Sequence, residues 1–266
     1  MSSKVSAEQV NYVKGVKREK RIIQITQMGI IIFLLGLWEL AGFLGWIDDF
    51  VFSSPSRIIK TFISLTVSGD LLKHTGITLY ETILSFGITT GSSILIAMLL
   101  WMSPMVSKIV EPYLVMLNSL PKSALAPLLI VWLGTGAKTI VVAGISVAVF
   151  GSIINLYTAF YGTDKEKEKL IYTLGGKKHQ VLYKVVLPNA IPAIVSNMKV
   201  NVGLSLVGVI IGEFLAAKAG LGYLIIYGSQ VFQLDLVLMS IVILCITAMG
   251  LYKGIGLVEK YYLKLG

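Results

Sequence analysis

Residues 161–187 read YGTDKEKEKLIYTLGGKKHQVLYKVVL, and Pro188 follows. The stretch is polar and rich in lysine, yet it lies between the strongly apolar runs 139–160 and 190–211. A connection this long, with a helical pattern of its own, does more than close a hairpin. Leu170, Leu174, Val181, Leu182 and Val185 recur at spacings of three, four and seven, while lysines and acids fill the other sides. Thr163 is placed to cap the start, and Asp164, Glu166 and Glu168 stand near the positive end of the first helix. Gly175-Gly176 then breaks it before a second segment. The spacing predicts two short amphipathic helices joined at a glycine pair. Helices so short are marginal alone in water, so they must pack against something.

Outside this island the chain is apolar. Of its 266 residues 55% belong to the hydrophobic set and 14% are charged, against about 25% charged in an average soluble domain. The mean hydropathy is +0.81. Several runs are near or above the roughly 20 residues needed to cross a hydrocarbon core of about 30 Å. The chain is therefore read as an all-α integral membrane protein. Its net charge of +9 is not a nucleic-acid footprint, because the charge is segregated. Lys4, Lys14, Lys17, Arg18, Lys20 and Arg21 precede the first apolar run, and Lys165, Lys167, Lys169, Lys177, Lys178 and Lys184 fill the island. Basic residues crowd the cytoplasmic flanks of spans, so the charge reports orientation.

Taken in order, residues 1–24 form a basic cytoplasmic segment, 25–252 a six-span transmembrane domain containing the cytoplasmic region 162–188, and 253–266 a cytoplasmic tail. The first apolar run continues through Trp46 with no small-residue cleavage site and is read as an anchor. Between the first two spans, Ser54 followed by Pro55 predicts the start of a short amphipathic helix on the outer surface, ended near Ser68-Gly69-Asp70. Span two covers about 76–101, with Gly87 and Gly91 as a small-xxx-small pair. Span three, about 106–132, contains Pro112, Pro121 and Pro127 and is expected in broken or tilted pieces. Spans four, five and six cover about 138–160, 189–211 and 234–252. The glycine-rich stretch 212–230 is read as a short re-entrant or interfacial helix.

With six crossings both termini are cytoplasmic. The inside segments then hold sixteen Lys or Arg, against five outside and two within spans, an asymmetry that favours six crossings over five or seven. No nucleotide-binding G-x-x-x-x-G-K-[ST] sequence, H-E-x-x-H sequence or Cys/His metal pattern occurs. The single Cys245 lies in the last apolar run and is read as a packed apolar residue.

The second half of the island runs Gly175, nine residues, Val185-Val186-Leu187-Pro188. It resembles the "EAA" cytoplasmic signature of inner-membrane permeases of binding-protein-dependent ABC importers: Glu-Ala-Ala, three residues, Gly, nine residues, Ile-x-Leu-Pro. The Glu-Ala-Ala positions hold Lys169, Leu170 and Ile171 instead, with an acid one place earlier at Glu168. The stretches 53–56, 120–134 and 212–223 look like the nitrate, sulfonate and taurine branch. The resemblance implies a type I ABC importer permease in a bacterial inner or plasma membrane. Its expected partners are a second, identical permease chain, two cytoplasmic ATP-binding subunits carrying ATP and magnesium, and an extracytoplasmic substrate-binding protein. No cofactor and no catalysis are expected in this chain. The implied cargo is a small organic anion such as an aliphatic sulfonate or taurine, or nitrate, with a pyrimidine vitamin precursor as the alternative. A self-contained secondary transporter is the reading of a different class, and it would need two comparable internal halves that the sequence does not display.

The resemblance makes Asp164, Glu168, Lys169, Leu170, Leu174, Gly175, Gly176, Val185, Leu187 and Pro188 the expected contact region for the ATPase. For Leu170 and Leu174 the plainer reading is the buried side of a surface helix. Lys122, Lys199, Glu213, Gly220 and Gly222 are candidates for the translocation pathway or an external gate. An ionised group at hydrocarbon depth is costly, so each should face protein, water or an interface. Lys122 either lends positive potential to an anion path or reaches an aqueous boundary or Glu111; Glu39 and Glu81 are read as pairing across helices or snorkelling. Gly203, Ser205 and Gly208 line either a permease–permease seam or contacts within one chain.

Overall fold

The computed structural model describes residues 7–263. Lys4 and Lys264, counted above among the terminal charges, lie outside the described residues. The chain is helical throughout them, in the order α1 Ala7–Phe43, α2 Asp49–Phe52, α3 Pro55–Ser68, α4 Asp70–Met102, α5 Pro104–Ser119, α6 Lys122–Leu133, α7 Ala137–Tyr161, α8 Lys165–Thr173 and α9 Lys178–Val181. A π turn, Leu182–Val186, then leads into α10 Leu187–Ala216, α11 Leu221–Gln230 and α12 Leu234–Leu263. Five stretches are long and apolar enough to cross a membrane: 15–43 in α1, α4, α7, the continuous run 178–216, and 234–257 in α12. The pair α5 and α6, bent by 95°, makes a sixth if counted as one broken span. The basic head is not a separate element, because α1 runs unbroken from Ala7 into the first apolar run.

The core is a three-helix stack of α4, α7 and α10, and small residues set its spacing. A Cβ at Gly208 would stand 2.7 Å from the Cα of Gly144, and one at Gly212 would stand 2.9 Å from the Cα of Ile140, so α7 and α10 meet almost backbone to backbone. On α4 the inward stripe is hydroxylated: Thr78, Thr82, Ser85, Thr89 and Ser93 are all fully buried. Ser85 donates to its own helix at Glu81 O (2.7 Å) and lies 3.2 Å from Val141 O of α7, which satisfies a polar side chain without water. Gly87 and Gly91 face open space instead, so the close-approach surface of span two is this hydroxyl stripe and not the expected glycine pair. Ser205 and Gly208 likewise pack within the chain; of the three small residues considered for a seam, only Gly203 has nothing within reach of an added Cβ.

Span three breaks once. Leu120 and Pro121 are extended, with ψ of 136° and 104°, as expected for a proline and the residue before it. Pro112 and Pro127 remain inside helices, contrary to the expectation that each of the three prolines would interrupt the span. The break strands carbonyls at the end of α5, and the Lys122 ammonium folds back onto Leu117 O and Asn118 O while lying 5.3 Å from the Phe150 ring. At the other end of the bundle, α3 begins with Pro55 as its first residue and ends at Gly69, whose φ of 81° only glycine adopts freely. Its first turn is capped from another helix: Ser56 N–H donates to Glu39 Oε2 of α1 at 3.0 Å. Arg57 and Asp235, 2.9 Å apart, tie α3 to the start of α12.

Candidate functional site

The island forms a hairpin that protrudes from one end of the bundle. The continuous helical run 178–216 has 39 residues, about 58 Å at 1.5 Å per residue, nearly twice a hydrocarbon thickness. Its beginning therefore stands outside the apolar layer. The first helix is α8, and its cap is Asp164 rather than Thr163: Glu166 N–H donates to Asp164 Oδ1 at 2.9 Å, and Thr163 is buried. An acid is the stronger partner for the positive end of a helix, which explains the one-residue shift. The glycines that follow α8 are needed for different reasons. Gly175 has φ of 78°, whereas a Cβ on Gly176 would collide with Ile171.

The second expected short helix is instead the beginning of span five. Lys178–Val181 passes through the π turn into α10 with no loop between them. The apolar residues of the island accordingly divide. Val181 and Leu182 are buried in a cluster with Ala97 and Trp101 of α4 and Leu156 and Phe160 of α7. Leu170 and Leu174 are 59% and 75% exposed, so they are not the buried side of a surface helix. Lys167, Leu170, Lys184, Val185 and Pro188 border a groove of about 430 Å³ beside α8. Glu168 pairs with Lys165 at 3.1 Å, and Lys169 is exposed. Of the ten residues expected here, Asp164, Gly175 and Gly176 shape the hairpin; Leu170, Leu174, Val185 and Pro188 supply its apolar surface.

The expected gate residues fall into three separate places. Glu213, Gly220 and Gly222 come together at the opposite end of α10, where a buried helix start needs acceptors. The N–H groups that open α11 find them: Gly220 on His74 Nδ1 at 2.9 Å, Leu221 on Thr78 Oγ1 at 2.8 Å and Gly222 on Glu213 Oε2 at 2.5 Å. Thr78 in turn donates to Glu213 Oε1 at 2.6 Å. A Cβ on either glycine would overlap the Glu213 carboxylate, which is why both positions lack one. Glu81, 3% exposed, lies alongside Glu213 rather than snorkelling. His74 stacks on Tyr223 and Tyr223 on Tyr227, and these rings border a cavity of about 700 Å³ that also touches Arg57, Asp70 and Asp235. Lys122 serves the broken helix described above. Lys199 pairs with Glu259 of α12 and lies 5.7 Å from the Tyr252 ring.

Sequence reasoning missed a buried amide network. Asn197 and Asn201 of α10 both donate to Ser152 Oγ of α7, at 2.6 and 2.8 Å. Their i, i+4 spacing inside an apolar run was the available signal. Thr78 and His74 had no local signal, since their partners are more than 130 residues away. Among the described residues no group of three or more His, Cys, Asp or Glu could hold a metal ion.

Five helices long and apolar enough to cross a membrane, with a bent pair that makes a sixth if counted as one span, a polar hairpin at one end and a capped helix start at the other, define a multi-span membrane protein. The chain belongs to the family of binding-protein-dependent transport system inner membrane components, whose model matches residues 83–255. It is 29% identical over 261 residues to a putative aliphatic sulfonates transport permease of Bacillus subtilis, an alignment covering 98% of this chain and 94% of that one. It is 28% identical over 193 residues to the formylaminopyrimidine transport permease of Halalkalibacterium halodurans, covering 72% and 76%. Its fold matches a chain of the methionine ABC transporter MetNI in an inward-facing form with a TM-score of 0.64 at 16% identity, over 74% of this chain and 97% of that one. The chain is thus an ABC-importer permease with the type I fold and a substrate-channel role, a subunit of a multi-subunit importer.

Proposed function

We propose that the α8 hairpin is the handle by which a cytoplasmic ATPase moves this permease, and that the cargo is a small organic anion such as an aliphatic sulfonate or taurine. The observation that carries the first half is the division of apolar residues within the hairpin. Leu170 and Leu174 project outward from a helix whose continuation, at Val181 and Leu182, is fixed in the core between α4 and α7. An exposed apolar pair on an anchored element is what a force-transmitting contact requires: the pair docks, and the anchor carries the displacement into the spans. On this reading the hairpin and both termini face the cytoplasm, as the lysine distribution favours. ATP and magnesium act on the partner. Closure of two ATP-binding subunits pulls two hairpins, one from each of two identical permease chains, and turns the pair from inward-open to outward-open; hydrolysis resets it. The Glu213 cluster closes the opposite end, where an external binding protein delivers cargo.

The cargo reading is supported by the near full-length similarity to the sulfonate permease, and the similarity to the formylaminopyrimidine permease keeps a pyrimidine vitamin precursor as the second reading. Vesicles containing the assembled importer and its binding protein would be tested for ATP-dependent uptake of isotopically labelled alkanesulfonates, taurine, nitrate and formylaminopyrimidine. The expected result is uptake of a sulfonate; uptake of the pyrimidine alone would replace the cargo assignment. Copurification of an ATPase with the wild-type chain, lost on Leu170→Asp plus Leu174→Asp, checks the handle.

A further inference from the structure

Glu81 of α4 and Glu213 of α10 are 3% and 1% exposed, and their carboxyl groups are hydrogen-bonded to each other. Two ionised carboxylates have only acceptors to offer, so that bond requires a proton between them. The surrounding donors show which carboxyl carries it. Thr78 Oγ1 accepts the Leu221 N–H and gives its own proton to Glu213 Oε1 at 2.6 Å, and the N–H groups of Gly222 and Tyr223 are also directed at Glu213. Glu213 is thus held as the anion. Glu81 Oε2, by contrast, is buried with no donor in reach among the described residues. The proton therefore belongs to Glu81, which donates it to Glu213. No cation takes its place: the charged neighbour acting on Glu81 is Glu213 itself. On α4, His74 Nδ1 accepts the Gly220 N–H and so carries no proton, and Asp70 and Lys73 stand beside His74. From α11 comes Tyr223, its ring stacked on His74, and Lys218 in the connection before it is exposed. Helix α7, packed on α4 at Ser85, has no titratable residue between an exposed Lys138 and Tyr157. Of the other helices on α10, α12 pairs Asp235 with Arg57 and Glu259 with Lys199, and α6 turns Lys122 onto the carbonyls of α5.

We propose that Glu81 is a proton-binding site that locks the outer closure: with the proton bound, Glu213 can cap the start of α11, and with the proton gone the cap comes apart. The inference rests on the reading that the Glu213 end is the external one, and it adds what holds that end shut. Loss of the proton leaves two negative charges in contact in a dry site, and the neutral donors present cannot satisfy both. Separation relieves the repulsion. Glu213 withdraws, and Thr78 and the Gly222 N–H lose their acceptor. On opening, the O–H bond of Glu81 breaks and its proton passes to water on that side, leaving two hydrated carboxylates. On closing, one proton is taken up from the same side and the O–H bond forms again, so no proton crosses the membrane. A carboxyl group in water is ionised at neutral pH, and the closed form therefore binds one more proton than the open form. Closure is favoured as pH falls and weakened as pH rises, by up to about tenfold per pH unit for a single linked proton.

Infrared difference spectra of the purified importer test the proton directly. Wild type minus Glu81→Gln should contain the C=O stretch of a protonated carboxyl that shifts in deuterium oxide; its absence would overturn the proposal. The closure is read by maleimide labelling of Leu221→Cys, a fully buried position at the start of α11, in a Cys245→Ser background and in lipid nanodiscs, where both faces meet the same pH. Glu81→Gln has the shape of the protonated acid and supplies the reference rate at each pH, which cancels the intrinsic rise of thiol reactivity with pH. Relative to that reference, the protein with Glu81 should label several-fold faster at about pH 9 than at about pH 6.5, and a constant ratio would refute the proposal. Glu81→Gln should remain closed, whereas Glu213→Gln, which exchanges an acceptor oxygen for an NH2 group, should label several-fold faster at every pH. Equal labelling of the two variants would overturn the assignment of the proton to Glu81. If Glu213→Gln does not accumulate, the spectra and the Glu81 ratio decide. The expected pattern in nanodiscs, together with no labelling of Leu221→Cys by an impermeant maleimide added outside cells, would sink the external reading of this end and leave the proton site standing.

Discussion

The two ends of α10 solve opposite problems. At the hairpin end the backbone is fixed locally, by an Asp164 cap and a left-handed Gly175, and apolar side chains are left exposed. At the Glu213 end the N–H groups that open α11 are satisfied by side chains of other elements, His74 and Thr78 of α4 and Glu213 of α10. An element that must engage a partner keeps its surface free and its shape self-contained. An element that must hold a closed end gives up its surface to make the closure specific. The contrast predicts that substitutions at the Glu213 end act on stability, and those at the hairpin end on coupling with stability retained.

The largest effect is expected at Gly220. A valine there would carry a φ of 126° and overlap the Glu213 carboxylate, and left-handed strain together with overpacking costs about 3 to 5 kcal/mol. Detergent-solubilised Gly220→Val should melt well below wild type or fail to accumulate. Glu213→Ala comes next, since it strands the buried donors of Gly222 and Thr78 at about 1–3 kcal/mol each. A wild-type melting temperature for this variant would break the contrast. Gly175→Val should cost about 1–2 kcal/mol of local strain. Membrane levels should persist while ATP-driven uptake falls; unchanged uptake removes Gly175 from the hairpin's machinery. Smallest is Lys122→Gln, which gives up a helix-end contact worth about 0.5 kcal/mol. Its uptake kinetics should match wild type, and a raised KM for an anionic cargo would restore Lys122 to the pathway.

The hairpin end was legible in the sequence because its determinants are local: a helical spacing, an acid at a helix start, two adjacent glycines and a proline at a fixed distance. The error there was equally local. The pattern of Val181, Leu182 and Val185 looked like a second short helix, whereas the helical run continues from Lys178 through Ala216 without a loop. At the Glu213 end the glycines and the acid stood out, but their reason did not. Gly220 and Gly222 are small because a carboxylate nine residues or fewer behind them folds back, and Thr78 and His74 complete the site from another span. The isolated charges misled for the same reason. Lys122 and Lys199 drew attention as unpaired cations in oily segments, and only the packing revealed the carbonyls and the Glu259 carboxylate that hold them.

The handle itself is tested most directly by cross-linking. A single cysteine replacing Leu174, in the Cys245→Ser background, would be reacted with a short bifunctional reagent in membranes that contain the whole transporter. The account predicts a covalent product with the ATP-binding subunit and no labelling by a membrane-impermeant thiol reagent added from outside the cell. A cysteine that such a reagent labels from outside, or that forms no product with the ATPase, would contradict it.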